Sequence, residues 1–335
     1  MSLESVATGG IVVISPRDSS PYLLDLRTGQ SRILPMYAPD SYSLDSMGVS
    51  PDRGRLAYVE TIRNQANEIV GRQLRVVTAD GQVQVSQTFE LGWSWWRWLD
   101  NERLEIYWWE APMAGTVIVL NLFTGQQQEI PPTFPDIYDV PYEPPYWMTL
   151  YSPDLKWVLY LSNGEEYYGE AVVWDIEAGQ ALWQSSGKGI FDDLPAWSPR
   201  NDQVAVVVGG KLFRVDHTGH AMALPDIGME DVRDFGWSPD GRYIAFWASS
   251  PPWEMEKLYI LDTTSDQVVD FCLSTLRSGT RPLWSPDSLQ FSVYIAAEDA
   301  NDTIKWEAVL VDIDKGIANR IPYNESPVGW MHSIP

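Results

Sequence analysis

The sequence predicts an all-β fold, a seven-bladed β-propeller of four-stranded antiparallel blades whose N-terminal blade is completed by the C-terminal strand. Three observations carry this: a tight-turn signature recurring at a regular spacing, a second turn signature interleaved with it, and chain ends that fall part-way through a repeat. The first signature reads WSPDGRYIAF from Trp237 to Phe246, with relatives VSPDRGRLAY, YSPDLKWVLY, WSPRNDQVAV and WSPDSLQFSV. Aligned on the residue before the turn, the copies fall at Val49, Trp98, Tyr151, Trp197, Trp237, Trp284 and Trp330, spaced by 49, 53, 46, 40, 47 and 46 residues. A period of roughly 40 to 50 residues belongs to propellers and solenoids.

Each signature is a hairpin for a chemical reason. In Ser238-Pro239-Asp240-Gly241, Pro presets one turn dihedral, Asp bonds the backbone ahead of it, and Gly takes the positive-φ place, while alternating apolar residues such as Ile244 and Phe246 follow. The second signature is an apolar run, a polar residue and a turn: YLLDLRTG at Tyr22 to Gly29, then RVVTADG, IVLNLFTG, VVWDIEAG, FRVDHTG, YILDTTSD and VLVDIDKG. Two hairpins per period make four short antiparallel strands, the content of one blade. Pro and Gly, 24 of each, punctuate the chain too often for long helices. The chain opens with strands near Ile11 to Ile14, Tyr22 to Leu26 and Ser31 to Leu34 but no inner strand before them, and Pro327-Val328-Gly329-Trp330 supplies one at the far end. Closure of that kind removes the free sheet edges an open array would expose. The expected organisation is one propeller domain over 1–335, with blades near 9–37 plus 326–335, 42–90, 91–134, 146–187, 190–225, 231–272 and 278–322.

Strands ending in WSPDG and followed by an apolar strand resemble the TolB-like, WD-repeat-like β-propeller repeats, which also form the propeller domain of prolyl oligopeptidase-type peptidases. The resemblance rests on Trp237 to Gly241, Trp284 to Asp287 and Trp197 to Pro199, is degenerate at Trp98-Leu99-Asp100, and lacks SPDG after Trp330. It implies an extracytoplasmic setting, periplasmic or cell-surface. TolB itself carries six such blades after a separate N-terminal domain. Neither that domain nor a peptidase domain has room here, so the family's activities are not carried over.

Composition narrows the function classes. Formal net charge is -23, with 46 acidic against 23 basic side chains, which repels phosphate backbones and anionic lipid heads. Nucleic acid is therefore not an expected partner. No apolar run reaches the roughly 20 residues that span a bilayer, so membrane insertion is not expected either, and MSLESVATGG lacks the basic start and apolar middle of an export signal. Cys272 is the only cysteine, which excludes an intrachain disulfide and multi-thiolate zinc sites. No cofactor is expected. His217 and His220, in HTGH, read as solvated turn residues rather than metal ligands. No GxSxG elbow is present for a serine hydrolase, and the Asp299, Asn301 and Asp302 loop lacks the glycine and terminal glutamate of a calcium-binding EF-hand.

Short SPDG and DxxTG turns, following the first and third strands, leave one face plain. The remaining connections are expected on the opposite face as long irregular loops, including ETIRNQANEIVGRQ, EAPMAG, SNGEEYYGE, SSPPWEME and AEDANDTIKW, and rigid scaffolds usually present binding groups on such loops. They are aromatic and acidic. The candidate binding residues are Tyr138, Tyr142, Tyr146, Tyr167, Tyr168, Trp253, Trp306, Glu143, Glu165 and Glu166, with no catalytic and no metal residue assigned. Rings with polar tips give contact area at low entropic cost and carboxylates favour a cationic partner, while most inner-strand tryptophans are expected to fill space between blades. The reading is a noncatalytic scaffold that offers an acidic, aromatic surface to a protein or peptide with basic side chains, or to a glycan. The alternative is a carboxylate-based enzyme acting on a carbohydrate or lactone-like ester near the central channel.

Overall fold

The computed structural model describes residues 10–14, 21–26, 28–34, 47–64, 66, 68–89, 93–111, 114–130, 149–165, 168–190, 195–251, 255–276, 280–298, 304–321 and 327–332. They form a seven-bladed β-propeller of four-stranded antiparallel sheets, with no helix among the described residues. Two compact units are distinguished, Met1–Ile130 with Leu283–Gln290 and Tyr323–Pro335, and Pro131–Pro282 with Phe291–Pro322.

In the first unit, blade 1 joins β1 (Gly10–Ile14), β2 (Pro21–Asp25) and β3 (Ser31–Ile33) to β28 (Pro327–Met331). Blade 2 holds β4 (Met47–Val49), β5 (Arg55–Arg63), β6 (Ile69–Thr78) and β7 (Val83–Phe89), and blade 3 holds β8 (Trp93–Trp98), β9 (Arg103–Ala111), β10 (Ala114–Asn121) and β11 (Gln127–Ile130). At Leu56-Ala57-Tyr58-Val59 of β5 blade 2 is buried on both faces, which is why that stretch reads as a continuous apolar run rather than an alternation. Leu56, Tyr58 and Val77 pack on Val12, Leu23 and Leu34 of blade 1, while Ala57, Val59, Leu74 and Val76 pack on Trp96, Leu104 and Ile106 of blade 3.

The closing strand sits where the chain ends predict. Ile11 pairs with Trp330 and Val12 with Gly329, with a register shift before Val13 pairs with Pro327. Gly329 is required there by space: a Cβ on it would meet Val49 Cγ2 at 2.6 Å. The His332 N–H then donates to the Arg53 carbonyl at 2.9 Å, pinning the end of the strand to the first turn of blade 2.

In the second unit, blade 4 holds β12 (Thr149–Tyr151), β13 (Trp157–Glu165), β14 (Tyr168–Asp175) and β15 (Gln180–Ile190). Blade 5 holds β16 (Ala196–Trp197), β17 (Gln203–Val208), β18 (Lys211–Asp216) and β19 (Ala221–Ala223), and blade 6 holds β20 (Asp231–Trp237), β21 (Tyr243–Ser249), β22 (Glu256–Asp262) and β23 (Gln267–Thr275). Blade 5 again works both ways, with Val204, Val206 and Val208 against Leu159, Leu161 and Val173, and Ala205 and Val207 clustered with Trp237, Ile244 and Phe246. The seventh sheet is ordered β24 (Leu283–Trp284), β25 (Gln290–Glu298), β26 (Ile304–Asp312) and β27 (Ile317–Arg320).

The SPD turn is a four-atom lock built the same way each time. Ser50, Ser152, Ser238 and Ser285 donate their hydroxyls to Asp52, Asp154, Asp240 and Asp287 at 2.6–2.8 Å. The same serine oxygens accept the N–H groups of Arg55, Trp157, Tyr243 and Gln290 at 2.8–3.0 Å, closing the first rung of the second strand. The fourth place of the turn is left-handed throughout, yet only Gly241 is a glycine: Arg53, Leu155, Asn201 and Ser288 also have φ between 57° and 62°. A left-handed non-glycine residue costs about 1–2 kcal/mol, which the Ser and Asp hydrogen bonds offset at Arg53, Leu155 and Ser288, while before Asn201 the Asp place is held by Arg200, whose N–H donates to Ser198 Oγ at 3.2 Å. At the degenerate Trp98-Leu99-Asp100 copy, Asp100 replaces both side chains by accepting the N–H groups of Glu102 and Arg103 at 2.8 Å each.

The repeat tryptophans do more than fill space. Trp98 donates its indole N–H to the Gly48 carbonyl at 2.8 Å, Trp197 to that of Leu150 at 3.0 Å, and Trp237 to that of Ala196 at 3.0 Å. Each bond joins an inner strand to the inner strand of the preceding blade, at the residue just before its own repeat position. Trp330, fully buried in the closing strand, keeps Nε1 without a hydrogen-bond partner among the described residues. Trp237→Phe, which strands the Ala196 carbonyl, is therefore expected to cost about 1 kcal/mol more than Trp330→Phe, where no bond is lost. Urea titration of the two variants side by side checks this, and equal losses would remove the indole link from the account.

Candidate functional site

The ends of the sheets that carry the SPD and DxxTG turns are chemically occupied by the fold. Asp25, Asn121, Asp175, Asp216, Asp262 and Asp312 each accept a backbone N–H from two or three residues ahead at 2.8–3.2 Å. Burial pushes the Asp262 carboxyl up, but hydrogen bonds from Arg242 and Thr264 outweigh it and hold the group at about 2, below its ordinary 3.8. Asp216 is shifted in the same direction, with burial opposed by the Thr218 hydroxyl and the N–H groups of Thr218 and His220. A depressed carboxyl contributes stability that is present above its ordinary value and is lost as pH falls towards the folded value. Acid titration of thermal stability should therefore fall between about pH 4 and pH 2, and Asp262→Asn should flatten part of that fall; an unchanged acid limb would count against the assignment.

His217 and His220 are exposed in this turn region, as turn residues. His217 lies against Trp157 with ring centroids 6.0 Å apart. Among the described residues no three His, Cys, Asp or Glu side chains converge on a metal position.

The opposite ends of the sheets differ from the sequence expectation of long irregular loops. Most of those segments are strand. In ETIRNQANEIVGRQ, β5 runs to Arg63 and β6 starts at Ile69, and the tip is tied by Asn64, whose Oδ1 accepts the N–H groups of Ala66 and Glu68 at 2.9 and 3.0 Å. EAPMAG is a hairpin between Ala111 and Ala114, and SNGEEYYGE one between Glu165 and Tyr168. Blade 5 has no such extension, because a Gly209-Gly210 turn follows six-residue β17 at once. The apparent loops are polar because their strands project past the apolar core, where pairing along the backbone suffices to hold them.

The predicted binding residues divide accordingly. Tyr138, Tyr142, Glu143 and Tyr146 lie outside the described residues, as do Glu166, Tyr167 and Trp253. Glu165 and Tyr168 are opposite one another at the tip of the β13–β14 hairpin, with their side chains outside the description. Trp306 is described in full. It sits two residues into β26, remains 40% exposed, and stacks on Tyr294 of β25 with ring centroids 5.7 Å apart and planes 5° from parallel. Tyr294, missed in the sequence reading, is 8% exposed. The alternation in FSVYIAAE puts it on a face, but only the strand register shows which ring it meets.

The Tyr294 backbone is held firmly. Its N–H donates to Thr280 Oγ1 at 2.8 Å and its carbonyl accepts the Thr280 N–H at 3.1 Å, while Trp247 Nε1 donates to the Thr280 carbonyl at 3.1 Å. Two residues on, the Ala296 N–H donates to Thr275 Oγ1 at 2.9 Å. Thr275, Leu276 and Thr280 thus bond the β25 backbone at Tyr294 and Ala296 and hold the strand that carries the ring beside Trp306.

Two further charge pairs lie in the first unit, and sequence reading did not find them. Glu60 meets Arg75 at 2.9 Å, and the fully buried Glu105 pairs with Arg97 directly across the β8–β9 ladder. In both, a guanidinium neutralises the carboxylate, so truncating either partner leaves a buried charge, a loss of about 3–5 kcal/mol.

These features define a seven-bladed β-propeller with TolB-like repeat turns. No family profile matches the chain, and no curated protein matches it. Solved structures do. The chain is similar to prolyl endopeptidases at 13% identity, with a TM-score of 0.59, over 95% of this chain and 51% of that one. It is similar to an oligogalacturonate lyase from Vibrio parahaemolyticus at 10% identity and a TM-score of 0.56, over 94% and 85% of the two chains. TolB from Acinetobacter baumannii aligns at 18% identity and a TM-score of 0.47, over 96% and 80%.

Proposed function

We propose that the chain, as one propeller domain spanning its length, is a noncatalytic binding scaffold that offers an acidic, aromatic surface to a protein or peptide with basic side chains. The observation that carries this reading is the division of labour between sheet ends. Carboxylates at the SPD and DxxTG ends are spent on backbone hydrogen bonds, whereas at the other ends Trp306 is a ring left open beside Tyr294. The net charge of -23 favours a cationic partner and opposes nucleic acid and anionic lipid. An extracytoplasmic setting belongs to the same reading through the repeat resemblance.

Binding of basic peptides is expected to weaken as salt rises from about 50 to 500 mM and to fall at least several-fold on deletion of 134–147. Calorimetry over a salt series, with and without that segment, is the test. Affinity that ignores both changes would sink the reading. The second reading, a carboxylate-based enzyme for a carbohydrate or lactone-like ester, draws on the lyase of the same fold. Turnover on a glycan and ester panel would replace the first reading with it.

A further inference from the structure

We propose that the open face of Trp306 is a stacking subsite for the guanidinium side chain of an arginine-bearing peptide. The inference rests on the binding reading above and names the chemical group one part of that surface would take. Three features of the site point to it.

First, the platform is built in advance. An isolated surface tryptophan must lose rotamer freedom when a ligand stacks on it, which reduces affinity. Here one face of the indole is already backed by Tyr294, within 5° of parallel, and Tyr294 is fixed by Thr280 on both its N–H and its carbonyl. The remaining 40% exposure is the ring surface open to a ligand.

Second, the surroundings suit a flat cation with an apolar stem. Ile304, two residues earlier on β26 and exposed, shares the Trp306 side of the strand by the two-residue alternation, and can lie along arginine methylenes. Lys305 falls on the other side by the same alternation and does not compete for the ring. Glu307 is taken by Arg320 at 2.9 Å.

Third, charge separates the ligands that stack. A neutral sugar would gain ring contact and nothing from a net charge of -23, an acidic sugar would be repelled, and a lysine ammonium would gain charge attraction but no planar overlap. Arginine alone among side chains gains both.

The test uses the full chain and four probes: an eight-residue peptide alternating arginine and glycine, its lysine counterpart, a neutral tetrasaccharide, and a tetrasaccharide of uronic acids. Calorimetry on the wild type should show the arginine peptide binding more tightly than the lysine peptide at equal charge. Trp306→Leu should weaken the arginine peptide about three- to tenfold and abolish its advantage over lysine, while Trp306→Phe keeps part of it. Thermal melting of both variants reports whether the fold is kept, and the phenylalanine variant keeps the test valid if the leucine variant melts early. Arginine-peptide affinity unchanged in both variants overturns the subsite, as does equal affinity for the two peptides or a Trp306-dependent preference for either sugar. Loss of binding on deleting 134–147 with the Trp306 variants unaffected would sink the subsite and leave the broader binding reading standing.

Discussion

Four of the seven inner strands of this propeller are too short to hold themselves. β16 and β24 are two residues long, and β4 and β12 three. A pair of strands of that length has few ladder bonds, and two-stranded pieces in isolation are marginal in water. What keeps neighbours in step is the indole N–H of a repeat tryptophan bonded to a carbonyl of the blade before it, at Trp98, Trp197 and Trp237. A large apolar ring and a directional donor act together: the ring fills the wedge between twisted sheets and the N–H sets their relative height. The acceptor is in each case the carbonyl one place before the repeat position, at Gly48, Leu150 and Ala196.

Two kinds of sheet end result. At the SPD and DxxTG ends, side chains of Ser, Asp and Asn satisfy backbone groups within a few residues, and arginines reach sideways to the next blade. Arg200 Nε donates to the Asp240 carbonyl at 2.6 Å, and Arg214, itself buried, bonds the Thr263 carbonyl and Asp266. At the other ends, strands of blades 2, 3 and 4 run past the core as hairpins, and Thr275, Leu276 and Thr280 bond the β25 backbone. Polar and aromatic residues there are held by backbone pairing and so need not be used for packing, which leaves rings such as Trp306 available.

How much of this was legible in the sequence depended on the range of the interaction. Ser238 to Gly241 encodes its turn within four residues, so turns and strand count could be read directly, and Trp330 announced β28 because the other copies had set its spacing. Strand lengths were less legible: Glu60 to Gln73 looks like a loop because its residues are polar, and only pairing of Arg63 with Ile69 reveals a hairpin. Glu105 with Arg97, and Tyr294 with Trp306, were invisible for the same reason, since each joins residues whose meeting is decided by register between strands. The left-handed place that Gly241 fills is taken by Arg53, Leu155 and Ser288 in other copies, where the serine and aspartate just before it hold the turn, and by Asn201 where Arg200 stands in the aspartate place.

That tolerance matters for a chain made of near-copies. Identical modules joined in tandem can dock on the wrong neighbour while folding, since each offers the same surface to all the others. A turn whose shape is held by two recurring groups, a hydroxyl and a carboxylate, lets the residue that follows them be arginine, leucine or serine as well as glycine without changing the bend. Each module then acquires its own identity at a place that does not disturb its geometry, and a protein of seven similar parts can tell them apart.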